Sequence, residues 1–250
     1  MIHTFSRFEQ KFVLTESQKI HIQKFLLEHM INDIYSQNNR PYHIYNYYLD
    51  NDNYEVIRHS VSKPAYKHKI RMRYYNDSVS EHSDVFLEIK SKAFKRVNKR
   101  RVQMTLETAK NYLVSGIKPT FSDYYDKQIF NEIDYLIKTS NSKPKTYIQY
   151  ERIAYIDLKS DLRITIDSKL KYQPVSDNLE ATNKLFDLVP NDIYLMEIKT
   201  GSSYPLWLVN YLSKHLLYSH SFSKYGRVFQ HYIQGGSIDD LILYNKLSSN

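Results

Sequence analysis

"KHKIRMRYYN", residues 67–76, decides how the rest of the chain is read. As a strand it sends Lys69, Arg71 and Arg73 to one face and Ile70, Met72 and Tyr74 to the other, because successive side chains alternate. Like charges two residues apart stand roughly 7 Å from each other on a strand. Their repulsion is then on the order of 2 kcal/mol per pair at an effective dielectric of about 20, and below about 1 in water. Such a row of cations faces either bulk water or something strongly negative.

The same mixture recurs in other segments with strand alternation. "RFEQKF" sets Arg7, Glu9 and Lys11 against Phe8, Gln10 and Phe12, and "DVFLEIKSK" sets Glu88, Lys90 and Lys92 against Val85, Leu87 and Ile89. "YIQYERIAYID" groups Tyr150 with Arg152, "LRITID" groups Arg163, Thr165 and Asp167, and "LMEIK" puts Glu197 beside Lys199. One wet strand face is ordinary in an antiparallel sheet. Repeated faces dominated by Arg and Lys, with a carboxylate or two at matching places, are not. Closed into a barrel with these faces inward, the strands would line a cationic tunnel holding a few acids. Its cations would bind a chain of phosphates, and its acids a divalent metal.

The other segments are predicted as follows. "TESQKIHIQKFLLEHM" (15–30) is an amphipathic helix behind a capping threonine. Residues 43–50 form a strand, 53–60 a short helix, 105–140 two helices, and 204–219 a helix with Pro205 in its first turn. The tail "SIDDLILYNKLSSN" is predicted as a final helix. With helical material between two strand groups, the fold class is α+β, and residues 1–250 are taken as a single domain.

Composition excludes much. The 250 residues carry a net charge of +8, so an anionic partner fits. Without cysteine there is no disulfide, thiolate metal site or cysteine nucleophile. None of the five glycines sits in a phosphate-cradling loop motif, so side chains must do any phosphate binding. The chain shows neither a signal core nor a membrane-length apolar run, and the expectation is a soluble, cytoplasmic protein. The histidines form no zinc motif; His215 and His220 are expected at the surface and Trp207 in the core. "KRVNKRR" (95–101), on its own, reads as a solvated loop.

The ordered series "RFEQKF", "YYLD", "KIRMRYY", "FLEIKSK" with "KRR", "YERIAYID", "LRITID", "LMEIK" and "SFSKYGR" resembles the VTC domain, the polyphosphate polymerase branch of the triphosphate tunnel metalloenzymes, over about residues 5–232. The resemblance implies an antiparallel β-tunnel, a closed barrel with a basic lumen and helices outside. It also implies transfer of the ATP γ-phosphoryl group to phosphate or polyphosphate with Mn²⁺ or Mg²⁺. Carried over by position, the basic wall is Lys11, Arg71, Arg73, Lys90, Arg101, Arg152, Arg163 and Lys224. Tyr150 would hydrogen-bond phosphate and Glu197 would hold the metal. Glu9 and Glu88 are further candidates, for the metal or for orienting the cations. The choice of Arg101 over Lys99 and Arg100 stays open, because strand phase after a loop is not fixed. In the same light "KRVNKRR" becomes a tunnel-mouth segment.

Two departures matter. Related hydrolases begin with an ExExK strand, whereas here Arg7 replaces the first acid, which favours the polymerase branch. Leu49 of "YYLD" stands where the family often has Phe. ATP and phosphate or polyphosphate are the expected partners. Nucleic acid is not expected, and a membrane-protein partner would have to come from another chain. A metal-dependent triphosphate or tripolyphosphate hydrolase and a non-catalytic polyanion-binding module are the alternatives.

Overall fold

A computed structural model of the protein describes residues 8–75, 77–93, 96–176, 179, 184–233 and 235. In chain order the elements are β1 (Phe8–Thr15), α1 (Glu16–Leu27), β2 (Ile31–Asn32), β3 (Tyr42–Asp50), α2 (Glu55–Val61), β4 (Tyr66–Tyr74), β5 (Asp84–Ala93), β6 (Arg96–Thr105), α3 (Leu106–Ser115), α4 (Tyr124–Thr139), β7 (Lys143–Ile156), β8 (Arg163–Pro174), β9 (Phe186–Asp187), β10 (Ile193–Thr200), α5 (Leu206–Lys214) and α6 (Lys224–Val228). The strands form one antiparallel sheet in the order β1-β10-β8-β7-β3-β4-β5-β6, with β2 added to β7 and β9 to β8.

Strand alternation sorts the side chains into an outer and an inner face. The outer face is covered by helices in two places. Phe12, Leu14, Ile164, Ile166, Met196 and Ile198 of β1, β8 and β10 pack against α1 and α5 through Ile22, Leu26, Leu208 and Tyr211. Ile70, Met72, Leu87, Ile89, Val102 and Met104 of β4, β5 and β6 pack against α3 and α4 through Ala109, Tyr112, Phe130 and Ile133. The inner face is divided. A third apolar cluster includes Val13, Ile44, Tyr48, Ile148, Tyr150 and Leu195 of the strands with Phe222, Tyr225 and Val228 of the C-terminal segment. Charged residues line the rest.

Where the sequence predicts a closed barrel, the sheet is open. Among the described residues, β1 and β6 each have one strand neighbour, β10 and β5 respectively. Closure is blocked locally: the free edge of β1 is used by the chain leading into α6, where the His220 amide donates to the Lys11 carbonyl at 2.6 Å. The Lys11 Nζ donates to the Phe222 carbonyl at 2.7 Å. Side chains span the gap instead, with Lys90 Nζ of β5 reaching Glu9 Oε2 of β1 at 3.0 Å. The concave face is thus tunnel-like while its wall is partly made of side chains and a loop.

Three further differences are local. Of the segment 95–101 read as a basic loop, residues 96–101 belong to β6, which pairs with β5 over its whole length, Asp84 opposite Thr105 and Ala93 opposite Arg96, while Lys95 lies outside the described residues. Consecutive cations at Lys99, Arg100 and Arg101 hide the period-two signal. The helix expected at 204–219 is shorter; Pro205 caps it rather than lying in its first turn, and it stops at Lys214, before Leu216 takes a left-handed φ of 51°. Strand β8 runs on to Pro174, past the quoted "LRITID" segment. The predicted tail helix and the Arg7 substitution lie outside the described residues.

Candidate active site: cations held by buried acids

Strand register brings the charged residues of distant segments together on the inner face. Arg71 lies opposite Glu88 and Tyr48, Arg152 opposite Asp167, and Lys11 opposite Glu197. Three acid-centred groups result.

In the first, Glu88 is 1% exposed. It accepts from Arg71 Nε at 2.8 Å, pairs with Lys99 Nζ at 2.6 Å and lies 3.9 Å from Arg73 Nε. Burial disfavours its charge, but Arg71, Arg73 and Lys99 outweigh that and hold the carboxyl far below the usual range. Other donors of both arginines are also directed: Arg71 Nη1 to Tyr48 OH at 3.2 Å, Arg73 Nε to Asn46 Oδ1 at 2.8 Å, and Arg73 Nη2 to Tyr150 OH at 3.2 Å.

The second centre is Asp167, fully buried. Arg152 donates to both its oxygens, at 2.6 and 2.7 Å, and Lys224 Nζ donates to it at 2.6 Å. Lys224 sits at the start of α6, which Ser223 caps. Burial works against the Lys224 charge, yet Asp167 and Glu197 raise its pKa. Tyr150 joins the two centres. Its ring lies 4.5 Å from Lys224 Nζ, and although burial opposes ionisation, Arg73, Arg152 and Lys224 pull its pKa down.

The third group is looser. Glu197 accepts from Lys199 Nζ at 2.8 Å and lies 3.7 Å from both Lys11 and Lys224. Glu9 pairs with Lys90 and with Lys11, the latter at 3.4 Å, and its pKa falls to about 2 because the neighbouring lysines outweigh burial. Lys69 completes the wall without a carboxylate: its Nζ donates to Ser223 Oγ at 2.8 Å. Burial, with the charges of Lys11, Lys67, Lys90 and Arg71, pushes its pKa down to about 7.

The structure therefore gathers Lys11, Arg71, Arg73, Lys90, Tyr150, Arg152, Lys224, Glu9, Glu88 and Glu197 on one face. Two expected residues sit at its margins. Arg163 pairs with Asp33, from the turn after β2, at 2.7 Å, and Arg101 is exposed with its guanidinium 4.2 Å from the Phe86 ring centre. Of the cation run, Lys99 reaches Glu88, and Arg100 turns outward to pair with Glu132 of α4. Asp167, Lys69, Lys99 and Lys199 belong to the charged inner face but were not selected by the sequence reading. Asp167 and Lys199 lay in quoted alternations and Lys69 in the deciding stretch, so their face was visible. What each one touches depends on strand register.

The acids differ in their fitness to hold a metal. Both oxygens of Asp167 accept from Arg152 or Lys224, and Glu88 is paired with Arg71 and Lys99. Glu9 and Glu197, on adjacent strands, are paired mainly with flexible lysines, and the Thr165 hydroxyl, buried opposite Glu197, has no hydrogen-bond partner. No three acidic or histidine side chains cluster as a metal site among the described residues. The donor set fits a hard divalent cation only if phosphate oxygens and water supply the remaining ligands.

The VTC domain family model matches residues 6–231. The chain belongs to the VTC domain family. No curated protein sequence matches it. Among solved structures, a Bacillus halodurans protein described as a "putative adenylate cyclase" superposes with a TM-score of 0.52 at 11% identity, covering 87% of this chain and 95% of that one. A Vibrio parahaemolyticus protein with the same description gives 0.46 at 8% identity, covering 90% and 98%. The VTC assignment and the first superposition agree on the triphosphate tunnel fold, in which the open seam between β1 and β6 is a feature of this chain's wall. No helix among the described residues is long and apolar enough to cross a membrane.

Proposed function

We propose that this VTC domain protein is an ATP–polyphosphate phosphotransferase. One observation carries the reading: buried Glu88 and Asp167 fix Arg71, Arg73, Arg152 and Lys224 around Tyr150, so that cationic donors converge with their geometry set before substrate arrives. Phosphoryl transfer demands positioning and charge neutralisation more than covalent help from the protein. Guanidinium groups hold phosphate oxygens in bidentate fashion, and the lysines add point charge.

In the proposed reaction an oxygen of the acceptor phosphate bonds to the γ-phosphorus. The bond from that phosphorus to the β,γ-bridging oxygen breaks, and ADP leaves with the electron pair. Arg71, Arg73 and Arg152 hold the equatorial oxygens, and Lys224 neutralises charge where the bond is changing. Glu9 and Glu197 are the residues that would hold Mn²⁺ or Mg²⁺, which when bound neutralises phosphate charge.

The test is incubation with ATP and Mn²⁺, with products resolved by gel and by phosphorus NMR. Long-chain phosphate formed with matching ADP is the expected result. Free phosphate alone would make the protein a hydrolase; tight, salt-sensitive tripolyphosphate binding with no turnover would make it a binding module. Glu197→Gln is expected to abolish metal-dependent turnover while tripolyphosphate binding persists or strengthens. Retention of full turnover would remove the metal role from Glu197.

A further inference from the structure

Beside the three acid-centred groups lies a cavity of about 530 Å³ between α2, the start of β4 and the segment 219–230. Among the described residues, Lys63, Lys67 and Lys69 line it together with Ser221 and Ser223, and no aspartate or glutamate does. That distinguishes it from the rest of the basic face, where Glu88, Asp167 or the Glu9 and Glu197 pair stands against each set of cations. Lys67 Nζ donates to the Ser60 carbonyl at 2.8 Å, and Lys69 Nζ to Ser223 Oγ. Neutral oxygens thus orient both ammonium groups without neutralising them. Burial, with the charges of Lys92 and Lys63, depresses the Lys67 pKa, and burial with neighbouring cations does the same for Lys69.

Gathering these three lysines around a space with no acid among its described walls is unfavourable unless an anion enters. The hydroxyls offer further donors to an oxyanion, and the volume exceeds that of a phosphate or two. Lys69 is shared: it lines the cavity and feels the charges of Lys11, Lys90 and Arg71 on the inner face. We propose that this cavity is a second phosphoanion site, for orthophosphate or pyrophosphate, next to the one that takes the triphosphate. If the phosphotransferase reading holds, on which this last step rests, the site delivers the acceptor past Lys69 to the γ-phosphorus.

Pyrophosphate is the probe. Titration calorimetry of the whole protein is expected to show two equivalents, and lysine acylation read by mass spectrometry should show Lys63 and Lys67 protected as the second equivalent binds. Lys63→Gly is the fold-safe variant, since Lys63 is exposed with a φ of 57° that glycine adopts freely. It should weaken the second equivalent by about tenfold, the effect of one charge-assisted contact worth about 1.4 kcal/mol. Lys63→Gly with Lys67→Ala should remove it, leaving the tripolyphosphate melting shift unchanged. If turnover is found, the double variant should raise the KM for acceptor and leave that for ATP alone. One pyrophosphate equivalent in the natural protein, or unchanged labelling of Lys63 and Lys67, would overturn the site. Absence of turnover with both binding results intact would overturn the phosphotransferase reading and leave the site standing.

Discussion

Glu88 shows what a single carboxylate does in a cationic wall. Its neighbours Arg71, Arg73 and Lys99 are kept charged and aimed by it, and with it gone they would repel one another inside a poorly hydrated space. Glu88→Gln is therefore expected to destabilise the protein by about 3 kcal/mol, in the range found when one partner of a buried pair is removed. The sign with pH follows from the depressed pKa. The stability Glu88 contributes is complete above the usual carboxylate range and is lost as pH falls below about 4.5 toward the folded value. Urea unfolding at several pH values should thus show a smaller acid loss in Glu88→Gln, and tripolyphosphate should restore more stability to the variant than to the natural protein. Equal unfolding midpoints at pH 7 would remove Glu88 from this role. The alternation of "DVFLEIKSK" made Glu88 visible as an inward acid. Asp167 was equally visible in "LRITID", but its value comes from Arg152 and Lys224, 15 and 57 residues away in sequence. No periodicity carries that information.

At the scale of elements, the segment from residue 220 into α6 matters more than its length suggests. It donates the His220 amide to the edge of β1, packs Phe222 and Tyr225 into the inner-face apolar cluster, and delivers Lys224 to Asp167. It is held from below by Asp50, fully buried at the end of β3. Asp50 accepts from the amides of Val56 and Ile57 in the first turn of α2, each at 2.9 Å, and from Tyr225 OH at 2.9 Å. One carboxylate thus serves the open end of α2, whose own N-cap Tyr54 makes no side-chain cap, and the residue beside Lys224. Asp50→Ala should cost about 2–4 kcal/mol through the orphaned amides and hydroxyl, and tripolyphosphate affinity should fall with it as Lys224 loses its support. Tyr225→Phe should cost about 1 kcal/mol, the net value of one hydrogen bond. Calorimetric melting with a tripolyphosphate titration checks both, and undiminished affinity in Asp50→Ala would break the link from α2 to Lys224. The sequence showed "YYLD" and "SFSKYGR" as separate motifs; that one supports the other depends on a hydrogen bond across 175 residues. Likewise β6 was read as a loop because three adjacent cations split between the Glu88 group, Phe86 and the outer helix α4.

For the whole molecule, an inner face built from cations, with its sheet open between β1 and β6 among the described residues, is on the proposed reading one that a polyphosphate ligand would complete. Polar alternation announced the charged face, and the family resemblance the helices outside it. The open seam was not legible, since it depends on where the chain after α5 runs. A phosphate chain on this face would neutralise Lys11 on β1, Lys69 on β4 and Lys90 on β5, and relieve the repulsion that adds to burial in lowering the pKa of Lys69. Saturating tripolyphosphate, at one hundred times its dissociation constant, should add about 2.7 kcal/mol to stability. In a chain of this size that corresponds to a rise in melting temperature of about 5–10 °C. Arg71→Ala and Arg73→Ala should each cut the gain. The seam makes the expectation specific in space: amide hydrogen exchange should slow most in β1 and β6, whose free edges have no strand partner among the described residues. It should change little in β7 and β8, which are paired on both sides. An unchanged melting temperature would mean that the basic face is not where phosphate binds. A rise with exchange slowed evenly through the sheet would place the ligand on the face but leave the seam without the part assigned to it.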